Sequence, residues 1–125
     1  MNSIQTTGII LFAHGSRDPQ WRLPFEAILN SMRAQHTGPT DLAFLECMEP
    51  SLPDAIAAMA QAGVTHINVI PVFLAVGSHV RKDLPLLLEQ ARAAHPQLCL
   101  TASAAIGEQT AIQEAIARFA LATLV

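Results

Sequence analysis

Ile9-Ile10-Leu11-Phe12-Ala13-His14-Gly15-Ser16-Arg17-Asp18-Pro19 decides the fold. Five apolar residues run unbroken and stop at a histidine, a glycine, a serine and an arginine. An apolar run without polar alternation, closed by turn residues, reads as a strand buried on both faces. His14 then stands at its C-terminal end, the edge at which open α/β sheets bind ligands. Val69-Ile70-Pro71-Val72-Phe73-Leu74-Ala75-Val76-Gly77-Ser78-His79 has the same form, an apolar run ending in glycine, a small hydroxyl residue and histidine. The two histidines are expected to face one site and to hold a metal.

Outward from the first run, Asp18 reads as an N-cap with Pro19 at the first helical position. Pro24 implies either a kink or a regular helix that begins near Leu23. Phe25, Ile28, Leu29 and Met32 follow at helical spacing and mark a buried face. Leu42–Leu45 is a short second strand running into Glu46. Ser51 caps the next helix, whose apolar face is Leu52, Ile56 and Met59, and Gly63 suits its C-terminal turn. A third strand runs from Ile67 to about Leu74; Pro71 within it signals an interrupted ladder or an early end. After Pro85 a helix passes through Leu86, Leu87, Ala91 and Ala94. Leu98 to Ala102 is a fourth strand with Cys99 in the core. Gly107 breaks the chain before a last helix carrying Ile112, Ile116 and Phe119. The order βαβαβαβα implies an α/β fold, a four-stranded parallel sheet with helices on both faces and right-handed crossovers.

The 125 residues suit a single domain, 1–125. At 51% hydrophobic and 14% charged, the chain has ample material for a core. A net charge of −3, with no basic run and no aromatic ladder, argues against nucleic acid or a membrane surface as partner. Cys47 and Cys99 form no CxxC pair, so a reducing compartment is expected. No basic region precedes the first apolar run, which is too short to span a bilayer, so the expected location is cytoplasmic.

His14, Glu46 and His79 each follow an apolar run. If all three strands point one way, all three side chains emerge at one edge, with adjacent strands about 4.8 Å apart. Two imidazoles and a carboxylate suit a divalent first-row ion such as cobalt, iron, nickel or zinc, and three protein ligands leave the site open. His36, His66 and His95 read as structural, and Cys47 as a buried inert thiol. Trp21 is either a flat wall beside the site or a helix-face packing residue. Arg17, Arg22, Arg81 and Lys82 flank the two histidines in a chain with only seven Lys plus Arg, which points to an anionic ligand. Neither GxGxxG nor GxxxxGK[ST] is present, so no nucleotide is expected. The His-Gly order and the lack of a G-x-S-x-G elbow disfavour a phosphatase or a serine hydrolase.

Leu11–Arg17, Phe44-Leu45-Glu46 followed by Pro50-Ser51, and Pro71–Leu74 through Gly77-Ser78-His79-Val80-Arg81-Lys82-Asp83-Leu84-Pro85 together resemble the small form of the CbiX family of class II chelatases. The resemblance implies a flavodoxin-like chelatase half and a homodimer. It implies ATP-independent insertion of a metal into sirohydrochlorin for cobalamin or sirohaem: cobalt first, with Fe2+ or Ni2+ as alternatives. It implies that His14, Glu46 and His79 are metal ligands and catalytic groups. Ser16, Arg17, Ser78 and Arg81 are then expected to contact the tetrapyrrole, the two arginines through its acetate and propionate groups. Residues 102–108 depart from the family in lacking a Pro-Leu-Gly-containing run after the fourth strand.

Overall fold

The computed structural model describes residues 7–124. Four apolar runs become four parallel strands: β1 (Thr7–Ala13), β2 (Thr40–Phe44), β3 (His66–Pro71) and β4 (Cys99–Ala102). Their order across the sheet is β2-β1-β3-β4. Leu11 lies opposite Leu42 on one side and Ile70 on the other. This register sets every inward side chain. Ile10, Phe12, Val69 and Leu100 face one core; Leu11, Ala13, Leu42 and Phe44 face the second. Because β1 is central, alternate side chains are buried on both faces, and Ile10 and Phe12 are wholly inaccessible. Full burial of such a side chain is worth about 1.5–3 kcal/mol.

Helices close both cores, as the alternating pattern predicts. On one face Asp18 caps a short 3-10 turn, Pro19–Arg22, by accepting from the Gln20 amide. The regular helix α1 (Leu23–Arg33) then begins next to Pro24. Leu29 is buried over β1 and β2, with Phe25 and Met32 packed beside it, while Ile28 lies outside this face and is exposed. On the other face α2 (Leu52–Gln61) buries Leu52, Ala55, Ile56 and Met59. Ser51 caps it by accepting from the Asp54 amide, and Gly63 takes φ +93° just beyond its end. Helix α3 (Ser78–Ala94) lies on the same face through Val80, Leu88 and Ala91.

Further expectations are corrected. The third strand stops at Pro71, not near Leu74; proline brings no N–H to the ladder. Helix α3 starts at Ser78, eight residues earlier than expected, and takes Pro85 into its interior. Proline there leaves the Arg81 carbonyl without its helical donor, and both residues are exposed, within reach of water. Cys99 is exposed rather than core. It alternates with buried Leu98 and Leu100 on an edge strand, so its side chain points to the α1 side of the sheet, where α1 covers only β1 and β2. The last helix, α4 (Thr110–Ala122), contains no buried residue, so Ile116 and Phe119 do not extend the core.

Candidate metal centre

Backbone hydrogen bonding between β1 and β2 continues past the last ladder pair, Ala13 with Phe44. The Leu45 amide donates to the Ala13 carbonyl at 2.9 Å, and the Glu46 amide to the His14 carbonyl at 3.0 Å. The backbone register therefore carries His14 and Glu46 side by side past the strand ends. Gly15 makes this possible. It has φ +100°, and a Cβ built there would collide with the Glu46 carbonyl oxygen. Only a residue without a side chain allows β1 to turn away against β2 at this point.

The two side chains meet at the rim. His14 Nε2 lies 3.6 Å from Glu46 Oε2, and each side chain is about half exposed. Two ligand atoms each about 2.1 Å from a tetrahedral ion stand about 3.4 Å apart. The pair is thus spaced to take one cation between imidazole and carboxylate. Phe73, just beyond β3, sets its ring edge-on to His14 with centroids 6.4 Å apart. His14 therefore has a carboxylate on its β2 side and an apolar wall on its β3 side.

His79 is placed differently from the strand-end position expected of it. It lies in the first turn of α3, eight residues past the end of β3. Its side chain is 82% exposed, and its Nε2 is 2.9 Å from Asp83 Oδ2, four residues on along the helix. Asp83 lines a groove of about 320 Å³ with Leu45, Leu86, Leu87 and Gln90, and Leu45 is the neighbour of Glu46. The middle turns of α3, from Asp83 to Gln90, thus run beside Leu45, just past the end of β2. Among the described residues no three His, Cys, Asp or Glu side chains gather into one cation cage. His14 with Glu46, and His79 with Asp83, are two separate imidazole–carboxylate pairs.

The flanking residues divide. Arg17 is exposed and without a hydrogen-bond or ion-pair partner among the described residues. Arg81 donates through Nη2 to the Val76 carbonyl at 3.0 Å, bracing the loop before α3. Ser16 Oγ accepts from the Asp18 amide and shapes the turn after His14. Ser78 is exposed at the start of α3, where Gly77 takes the cap position. Arg22 belongs to the scaffold: it pairs with Glu26 at 3.2 Å, donates to the Glu49 carbonyl and lies over the Phe44 ring. Trp21 packs on Phe25, centroids 4.6 Å apart, which resolves its role toward packing. Cys47 is exposed, not buried, with φ 66° in the turn after Glu46. His36 bonds the Thr7 carbonyl and His66 bonds Thr65, both at the opposite end of the sheet.

Asp83 is the polar group that sequence reasoning passed over. Its signal is the i,i+4 spacing to His79, which counts only once the helix begins at Ser78 rather than after Pro85.

A family model described as CbiX matches residues 8–121. Over 81 residues the chain is 38% identical to the sirohydrochlorin cobaltochelatase of Methanothermobacter thermautotrophicus, covering 65% of this chain and 57% of that protein. The chain spans 57–63% of the length of the first curated relatives that it matches. A crystal structure described as a putative cobalamin (vitamin B12) biosynthesis CbiX protein from Marinobacter aquaeolei superposes with a TM-score of 0.84 at 32% identity, covering 94% of this chain and 97% of that one. The sirohydrochlorin chelatase SirB from Bacillus subtilis subspecies spizizenii, solved in complex with cobalt, superposes with a TM-score of 0.76 at 26% identity, covering 90% of this chain and 48% of that one.

Proposed function

The chain belongs to the CbiX family, and from that premise we propose that it inserts a divalent first-row metal ion, Co2+ foremost and Fe2+ or Ni2+ as alternatives, into sirohydrochlorin without a nucleotide. The observation that carries this reading is the His14–Glu46 pair, set 3.6 Å apart by the backbone register at the open rim of the sheet. The cation is held there as a substrate by one imidazole nitrogen and one carboxylate oxygen, with His79 as third ligand from the first turn of α3. Three ligands leave a position through which the ion passes to the macrocycle.

Insertion of M2+ releases two pyrrole protons, so bases must stand at the site. As the ion passes to the macrocycle, the imidazole of His14 and the carboxylate of Glu46 each regain a free lone pair for one pyrrole proton, and both side chains open to solvent, into which those protons leave. Arg17, with its guanidinium unengaged, takes a substrate carboxylate in bidentate fashion; Ser16, Ser78 and the remaining donors of Arg81 complete that contact. Residues 1–125 act as one domain, in the cytoplasm. No helix among the described residues is long and apolar enough to cross a membrane.

The same reading makes the protein a homodimer. Ile116, Phe119, Leu121 and Leu124 are exposed on α4 and just beyond it, with Phe119 76% exposed. A second copy removes this surface from water. Sedimentation analysis is expected to give a dimer, and Phe119→Glu a monomer.

The direct test is absorption spectroscopy of excess sirohydrochlorin with Co2+ and catalytic protein. Conversion of many equivalents is the expected result, lost in the His14→Ala, His79→Ala double variant with far-UV circular dichroism unchanged. A single stoichiometric spectral shift instead makes the protein a carrier. Full turnover by the double variant removes the site altogether.

A further inference from the structure

We propose that two copies of this chain exchange α4, each laying the apolar stripe of its last helix across the uncovered face of the other's β3 and β4. This rests on the reading of the chain as a homodimer, and it says which surfaces meet. Ile112, Ile116 and Phe119 follow at i, i+4 and i+7 and share one side of α4; Glu114 and Arg118 lie on the other. Such a helix is patterned to cover a sheet, yet none of its residues is buried. Its main contact within the chain is with the 3-10 turn Ile106–Glu108. The sheet has the matching vacancy. Ile67, Val69 and Leu100 are buried on the α2–α3 side, so His66, Asn68, Cys99 and Thr101 face the other way, and all four are exposed. Register sets His66 beside Cys99 and Asn68 beside Thr101, in one patch.

The two surfaces fit in size and chemistry. The 13 residues of α4 and the 6 of β3 each span about 20 Å. Cys99 and Thr101 are small enough to let a helix approach, and the Thr101 hydroxyl donates to Asn68 Oδ1 at 2.7 Å, so part of the patch is hydrogen-bonded before anything covers it. Within its own chain α4 does not cover this patch, because its root is tied at the rim. Gly107 presses on the Leu74 backbone and donates its amide to the Phe73 carbonyl. Gln109 alone separates the turn from the helix, and Gln113 donates back to the Gly107 carbonyl. Other occupants fit less well. One acid and one base on α4 make no basic face for a lipid surface. At the sheet edge the Leu100 carbonyl already accepts from Arg92, which works against an added strand. Exchange of an identical element makes both contacts at once and closes as a two-fold dimer.

The test uses the full chain in a Cys47→Ser background, which leaves Cys99 as its one thiol. Alkylation of Cys99 is timed alongside sedimentation. The dimer is expected to react about tenfold or more slowly than the same protein diluted to monomer. Phe119→Glu, a change on α4, is expected to give a monomer whose Cys99, on the sheet, reacts fast. Thr101→Arg leaves α4 intact and blocks the sheet face; it too is expected to sediment as a monomer, with circular dichroism unchanged. A dimer whose Cys99 reacts as fast as that of the monomer overturns the exchange and leaves the homodimer standing. So does a dimeric Thr101→Arg. Protection that survives dilution to monomer assigns the cover to the chain's own α4 and overturns the exchange as well. A parent that sediments as a monomer at every concentration removes the homodimer, and the exchange with it.

Discussion

Gly15→Ala is the most informative single change in this chain, because one atom tests the construction of the whole rim. The added Cβ lands well inside 3.0 Å of the Glu46 carbonyl oxygen, a separation real Cβ atoms essentially never show. The obstacle is backbone, so no side-chain rotation relieves it. The residue also holds φ +100°, and an L side chain in left-handed backbone costs about 1–2 kcal/mol. If the strand ends separate, the Glu46-to-His14 hydrogen bond goes and the Leu45-to-Ala13 bond is strained, at about 1 kcal/mol each. The sum is about 3–4 kcal/mol, or roughly 12–16 °C in Tm for a chain of this size. Thermal denaturation followed by circular dichroism measures that loss. Co2+ titration of the folded variant measures the second effect: as β2 recedes from β1, Glu46 leaves His14, and affinity falls by at least tenfold. A variant with the parent Tm and the parent Co2+ affinity refutes the claim that this close approach sets the pair.

Glu46→Gln keeps the shape but removes the charge; Co2+ affinity is expected to fall by about tenfold or more with Tm unchanged, read by the same titration. Ser51→Ala removes the acceptor for the Asp54 amide and is expected to lower stability by about 1 kcal/mol in urea denaturation. Ile56→Ala opens a cavity between α2 and the sheet and is expected to cost about 2–5 kcal/mol, with metal binding by the surviving folded protein unaltered.

Much of this arrangement was legible in the residues. An apolar run with no polar alternation has few options other than a two-sided strand, and β1 ends where His14 breaks it. Asp18, Pro24, Ser51 and Gly63 act through local chemistry, and each does locally what its type implies. The His14–Glu46 pairing followed from parallel strands alone. What was not legible depends on the third dimension. The sequence places a helix only after Pro85, yet α3 takes that proline into its interior, where exposed backbone can turn to water. His79 therefore moved from a strand end to a helix, and gained Asp83. Cys99 looked like core because strand 4 is apolar; burial required a helix on both sides, and one side is bare. The apolar positions of α4 look like any buried stripe until the sheet proves to have no place for them. Gly107, read as a break, presses against the Leu74 backbone and donates its amide to Phe73, tying two rim loops together.

The indole of Trp21 is the single strong near-ultraviolet fluorophore of this chain, which has one tryptophan and no tyrosine. It packs on Phe25 and sets its edge toward Phe44, two residues before Glu46. The molecule therefore carries its own optical gauge against Phe44, the last residue of β2. A paramagnetic ion or a coloured macrocycle arriving there dims the emission without any label, so occupancy can be timed in a stopped-flow mixer on the unaltered polypeptide.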